Sequence, residues 1–202
     1  MRILVVGATG TIGSALSDVL EQKGHHVLRV GSSSGPLKVD IADPVSIAAL
    51  YAEAGVVDAV VCTAGVARFG PLGELDDEAF ESSIDNKLMG QVNLVRAGLG
   101  IVTQGGSFTL TSGGLSQTPG PGTVAVSMVG AAVEAFARAA AIDLEGRYRV
   151  NVVSPGWVAE SRVKAGLAPM PGIWAKDLAE YYGDLVEGGQ TGQVLSAETA
   201  RT

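Results

Sequence analysis

The chain has 202 residues, 47% of them hydrophobic, which suits one compact domain with a full core rather than a disordered segment. A formal charge of −7 and a pI near 4.8 provide no clustered basic field, so nucleic acid and anionic membrane are not expected partners. The single cysteine, Cys62, excludes an intramolecular disulfide, no Cys/His cluster has metal-ligand spacing, and a reducing, cytoplasmic setting is the expectation.

Short apolar runs alternate with longer helical patterns from end to end, the pattern of βα units on a parallel sheet. In chain order, strands are predicted at Arg2–Val6, His26–Val30, Leu37–Val39, Asp58–Cys62, Ser107–Thr111, Val150–Val153 and Gln193–Leu195. Helices are predicted at Thr11–Lys23, Pro44–Ala54 with Asp43 as its cap, Asp76–Leu99, Val124–Glu145 and Lys176–Val186. The apolar run Ile3–Val6 is too short for a signal peptide. The Ala-rich stretch Val124–Leu144 carries Glu134, Arg138 and Asp143, so it reads as a buried helix rather than a membrane span. Gly31–Pro36 is too short for a crossover helix, so the α/β, doubly wound parallel sheet, read as a single domain, lacks one helix there. Two loops rich in Gly and Pro, Gly113–Gly122 and Trp157–Ala175, follow the carboxyl ends of predicted strands, where ligands bind in such sheets. The second is the expected substrate lid.

Gly7-Ala8-Thr9-Gly10-Thr11-Ile12-Gly13 follows a strand and opens a helix, the context in which a glycine fingerprint binds a dinucleotide. Missing Cβ atoms let the backbone approach a diphosphate, and the helix start supplies free N–H donors and the positive dipole end. A plain tight turn is the alternative for the glycines taken alone.

With that spacing, the chain resembles the short-chain dehydrogenase/reductase family, which has a Rossmann fold, as a shortened and divergent member. Asp40-Ile41 resembles the family's adenine-contacting pair, and Cys62-Thr63-Ala64-Gly65 its Asn-Asn-Ala-Gly signature. Asn86 matches the family's active-site Asn, and Thr111-Ser112 matches its catalytic Ser. Asn151 through Pro155-Gly156 resembles the stretch beside the nicotinamide, and Thr191–Leu195 the closing strand. The resemblance implies Ser112 and Asn86 as catalytic residues. It implies a cofactor site of Gly7, Thr9, Gly10, Thr11, Ile12, Gly13, Ser32, Ser33, Asp40, Ile41, Thr63, Ala64, Gly65, Pro155 and Gly156.

NAD-preferring proteins of this fold place an acidic residue near the end of the second strand. Here Ser32-Ser33-Ser34 offers hydroxyls and no carboxylate, which favours NADP over NAD, and Arg29 is the nearby arginine. The family's proton-transferring Tyr and the Lys four residues later are missing: Val126 and Gly130 stand there in one register, Ala125 and Val129 in the next. The implied activity is hydride transfer to or from a small carbonyl, alcohol or enone, with Ser112, Ser127, a water or Lys87 as the proton donor. A cofactor-bound enzyme of non-redox chemistry and a non-catalytic NADP(H)-binding sensor or scaffold stay open. Lys87 is expected to face solvent or pair with Asp85 or Glu81, and His25 and His26 to be solvated. Trp157, Met170 and Trp174 form either a pocket wall or the loop's own small core. Helix Asp76–Leu99 is apolar at Phe80, Ile84, Leu88, Val92 and Val95, and helix Val124–Glu145 over much of its surface, more than one sheet face needs; the resemblance implies that these two helices pair across a two-fold axis, so a homodimer or higher homo-oligomer is expected.

Overall fold

The computed structural model describes residues 1–164 and 172–198, so Met170 lies outside the described residues. The strands are β1 (Arg2–Val6), β2 (His26–Gly31), β3 (Leu37–Lys38), β4 (Val57–Cys62), β5 (Val102–Thr111), β6 (Arg149–Pro155) and β7 (Val194–Ala197). The helices are α1 (Thr11–Gln22), α2 (Pro44–Ala54), α3 (Asp77–Ser83), α4 (Gly90–Gly98), α5 (Val124–Asp143), α6 (Ala159–Lys164) and α7 (Ala175–Glu187). All strand pairs are parallel, in the order β3-β2-β1-β4-β5-β6-β7. The winding reverses on either side of β1, and the crevice beyond the carboxyl ends of β1 and β4 is where such a sheet takes a ligand.

The strands read as continuous apolar runs because both faces are covered. Leu4, Val6, Val60, Leu110 and Val152 pack against α2, α4 and α5 through Ile47, Leu94 and Val133. Ile3, Val5, Ala59, Val61 and Val153 pack against α1 and α7 through Leu16, Leu20, Leu178 and Leu185. Helix α5 is long and apolar enough to span a membrane, but Ala125, Val129, Val133, Ala137 and Ala141 form one buried face, as in a core helix. Its remaining face carries exposed apolar side chains.

Side-chain caps set the starts of two helices. Asp43 caps α2 by accepting from the Val45 amide at 2.9 Å, with Pro44 in the first turn. Asp76 caps α3 in the same way through the Ala79 amide. As expected from the short Gly31–Pro36 connection, no helix separates β2 from β3.

Four expectations need correction. The helix predicted as continuous over Asp76–Leu99 is interrupted by a π-helical turn at Ile84–Met89 between α3 and α4. Strand β5 begins at Val102 rather than Ser107: an irregularity at Gly105 (φ 82°) and Gly106, where a Cβ would collide with the Asp58 carbonyl, breaks the apolar run. The segment read as a loop over 157–175 contains α6 and a bridge between Val158 and Ile173. His25 is not solvated: its Nε2 meets Glu187 Oε1 at 2.9 Å, which with Lys23 holds the Glu187 carboxyl below its ordinary value.

Candidate functional site

The glycine turn has three glycines with three different tasks. Gly7 has φ 91°, and a Cβ on it would lie 2.8 Å from the Ala64 amide nitrogen and from Thr63 Oγ1, so both conformation and closeness require glycine. A Cβ on Gly13 would collide with the Gly7 carbonyl, so Gly13 lets α1 sit on the turn. A Cβ on Gly10 would meet only the Gly7 carbonyl, at 3.3 Å, and Gly10 lines a cleft. No side chain caps α1 at Gly10, so the first-turn donors have no side-chain acceptor from the cap position.

This cleft, about 250 Å³, brings together Gly7, Thr9, Gly10, Ser32, Asp40, Ile41, Thr63, Ala64, Gly65 and Asn86, which are scattered through the first 86 residues of the sequence. Asp40 is fixed by its own turn: its carboxylate accepts from the Ala42 amide at 3.0 Å, and its amide donates to Ser46 Oγ at 2.9 Å. Thr63 Oγ1 donates to the Val6 carbonyl at 3.2 Å, tying the ends of β4 and β1 together. Thr11, Ile12 and Gly13 belong to α1 behind the cleft wall, and Ser33 is exposed beyond its rim. Arg29 does not reach the cleft: its guanidinium donates to Asp18 at 2.6 Å and to Glu21 at 2.9 and 3.0 Å on α1. Those bonds hold Glu21 below its ordinary pKa and raise that of Arg29. The room at Gly10 and the open helix start fit a diphosphate, which no bulkier residue at that position would admit.

A larger cavity, about 760 Å³, opens at the carboxyl ends of β5 and β6. Its walls are Gly113, Gly114, Leu115, Thr118, Val126, Pro155, Gly156, Trp157, Gly172 and Glu198. Val126 thus faces the cavity while Ala125 is fully buried, which selects the register with Val126 and Gly130 in place of Tyr and Lys. Trp157 is in the wall, whereas Trp174 is 58% exposed and outside it.

Ser112 is 7% exposed and donates its hydroxyl to Glu134 Oε1 at 2.8 Å, and Ser116 donates to the same oxygen. The proton of Ser112 is therefore committed to a buried carboxylate on α5, and its lone pairs are left to accept. Ser127 donates to Thr123 Oγ1 at 3.2 Å. Gln91 binds both edges of Thr111: Oε1 accepts from its amide at 2.8 Å and Nε2 donates to its carbonyl at 3.0 Å, fixing the end of β5. Thr111 Oγ1 donates to the Cys62 carbonyl and accepts from the buried Tyr182 hydroxyl at 2.7 Å. Burial pushes the Cys62 thiol up to about 11, so it is neutral. Glu134 and Gln91 were not singled out as site residues from the sequence; a lone acid in an Ala-rich helix was the only available signal for the first.

Asn86 and Lys87 sit in the π-helical turn, and π-turns recur at functional sites. Asn86 Oδ1 accepts from the Val66 amide at 2.7 Å and lines the cleft. Lys87 departs from expectation: it is largely buried, its stem lies against Gly65, and it pairs with neither Asp85 nor Glu81. Burial lowers the pKa of its ammonium from the ordinary 10.5.

Residues 8–179 match a family model described as enoyl-(acyl carrier protein) reductase. Versicolorin reductase 1 of Aspergillus parasiticus is 28% identical over 177 residues, 76% of this chain and 68% of that protein. The crystal structure of lin1944 from Listeria innocua has a TM-score of 0.90 at 39% identity, covering 97% of this chain and 98% of that one. A small-chain dehydrogenase solved in complex with NADPH has a TM-score of 0.85 at 27% identity, covering 98% and 96%. With the matched residues running from the glycine turn into α7, the chain belongs to the short-chain dehydrogenase/reductase family of NAD(P)-dependent oxidoreductases.

Proposed function

We propose that the chain is an NADP(H)-dependent oxidoreductase acting on a small carbonyl compound, alcohol or enone, with a proton donor other than tyrosine. The observation that carries this reading is the cleft at the carboxyl ends of β1 and β4, opened by the missing Cβ of Gly10 and set beside a larger cavity at the ends of β5 and β6. Gly7, Thr9, Gly10 and the α1 start, with Thr11, Ile12 and Gly13 behind it, would hold the diphosphate, and Asp40 and Ile41 the adenine. The exposed hydroxyls of Ser32 and Ser33 would take the 2′-phosphate, with no carboxylate there to repel it. Thr63, Ala64 and Gly65, which line the cleft, would border the middle of the dinucleotide, and Pro155 and Gly156, in the wall of the larger cavity, would border its nicotinamide. The NADPH complex of a relative of the same fold supports the choice of cofactor.

When bound, a reduced dinucleotide would supply hydride for a carbonyl carbon, and the proton for its oxygen would come from Lys87, Ser127 or a water. Asn86 lines the cleft, and Ser112 lies at the end of β5 beside the cavity wall at Gly113 with its proton donated to Glu134, so Ser112 would accept a hydrogen bond there rather than supply the proton. Trp157 and Gly172, from the 157–175 segment, line the larger cavity, which would take the substrate. With Cys62 free and buried, the protein suits a reducing cytoplasm.

Calorimetric titration with NADPH and NADH, followed by turnover on a panel of small carbonyls and enones, tests the reading. Tighter binding of NADPH with oxidation of NADPH by at least one carbonyl is expected. Binding without turnover on the whole panel would favour a dinucleotide-binding sensor, and no binding would remove the reading.

A further inference from the structure

Lys87 is a cation drawn away from water without a counter-charge. Among the described residues its ammonium makes no hydrogen bond and no ion pair. A lysine on an outward helix turn ordinarily swings its head into water, because a buried unpaired charge is costly. The π-helical turn prevents this by directing Asn86 and Lys87 together at the segment after β4. Asn86 holds the Val66 amide, and a Cβ on Gly65 would lie 2.6 Å from Lys87 Cδ and 3.6 Å from Cε. Gly65, at φ 132°, is both the residue that admits the lysine stem and part of the cleft wall. No side chain enters from α5 at Gly130, whose added Cβ would meet only Ser116 Cβ, at 3.4 Å.

The sheet order β3-β2-β1-β4 puts Asp40 and Ile41, which follow β3, on one side of the glycine turn after β1, and Thr63–Gly65, which follow β4, on the other; all line the cleft with Asn86. A dinucleotide with its adenosine beside β3 and its diphosphate on the turn carries its second ribose past the end of β4. The polar groups it brings there are vicinal hydroxyls, and an ammonium has three N–H donors for them.

We propose that Lys87 is a cofactor-binding residue whose ammonium holds the ribose hydroxyls on the nicotinamide side of NADP(H). The proposal rests on the dinucleotide reading of the cleft. The test compares two probes: NADPH, and adenosine 2′,5′-bisphosphate, which has the adenosine half alone. Lys87→Met keeps the length and apolar contacts of the stem and removes the charge. It should weaken NADPH about tenfold, the effect of losing roughly one charge-assisted hydrogen bond, and leave the bisphosphate affinity unchanged. Unchanged NADPH affinity, or equal weakening of both probes, would overturn the proposal. Should the variant fail to fold, wild-type protein labelled with 15N at lysine Nζ decides, its Lys87 signal assigned against Lys87→Arg. That signal should shift with NADPH and stay put with the bisphosphate; any other pattern rejects the role. Wild-type protein that binds the bisphosphate but not NADPH overturns the Lys87 proposal, and binding of neither overturns the cleft reading beneath it.

Discussion

Gly10 and Gly13 belong to one motif, yet a side chain would meet different fates at the two positions. At Gly13 it would strike the Gly7 carbonyl and displace α1, whereas Gly10 has an ordinary φ of −83° and a Cβ there would meet only the Gly7 carbonyl at 3.3 Å, a tight contact relieved by a shift of a few tenths of an ångström. Gly10→Val should therefore leave thermal unfolding nearly unchanged and weaken NADPH at least a hundredfold by calorimetry, about 2.7 kcal/mol, because the added side chain occupies the diphosphate's place. Retained NADPH affinity would show that the cleft is not the dinucleotide site. Lys87 gives a prediction of opposite sense, since its desolvation opposes folding. The folded-state pKa lies below the unfolded value of 10.5, so the penalty is absent above 10.5 and grows as pH falls through the lowered value. Lys87→Met should raise the Tm at neutral pH by about 2–4 °C, the shift that about 1 kcal/mol produces in a domain of this size. Its advantage should narrow as pH rises toward 10.5, and a lowered Tm at neutral pH would mean that Lys87 serves packing. The sequence marked Gly7, Gly10 and Asn86 as candidates by residue type and position, and the structure gathers them along one cleft. It offered Lys87 as a proton donor but not its burial against Gly65, and it did not mark Glu134 or Gln91 as site residues, because such contacts depend on which way a helix turn faces.

At the scale of elements, the alternation of strand and helix patterns carried the sheet and its missing crossover, since strands buried on both faces must be continuously apolar. What the pattern hid were departures from regular geometry. The π-helical turn keeps the apolar spacing of a helix while rotating Asn86 and Lys87 inward, and the irregularity at Gly105-Gly106 conceals the first half of β5. Helix α5 carries the main chemical departure from its family, and the cavity wall at Val126 locates it. Val126→Tyr would aim a phenol into the cavity, and Gly130→Lys would start from a Cβ 3.4 Å from Ser116, a contact that can be accommodated. The double variant should create or raise NADPH-dependent carbonyl reduction by about 10²-fold or more, the low end of what a positioned acid contributes. Either change alone should do little, because the phenol needs a cation to lower its pKa and the lysine needs a phenol to act on. A folded double variant that binds NADPH and gains nothing would show that the cavity itself has diverged.

At the scale of the whole molecule, α5 leaves an apolar stripe uncovered among the described residues. On the face of α5 away from the sheet, Val124, Met128 and Ile142 are 39%, 41% and 75% exposed, with the exposed Ala131, Ala135 and Ala139 between them. Leu99, at the end of α4, adds a further exposed side chain at 41%, while Val95 and Leu94 are already spent on the core. Apolar side chains aligned along a whole helix mark an association surface, and small residues between them let a second helix approach closely. A second copy related by a two-fold axis presents the same stripe to itself, which closes the contact without leaving an open edge. In light scattering at micromolar concentration the protein should therefore have about twice the 20.5 kDa of the chain. Met128→Glu places a charge in the amino-terminal part of the stripe in each copy, and burying those unpaired charges should cost at least about 2 kcal/mol, some 30-fold in dimer dissociation. The variant should shift toward monomer at the same concentration while keeping its thermal unfolding profile at high concentration. A wild-type monomer at that concentration, or a dimer indifferent to Met128→Glu, would remove α5 as the association surface.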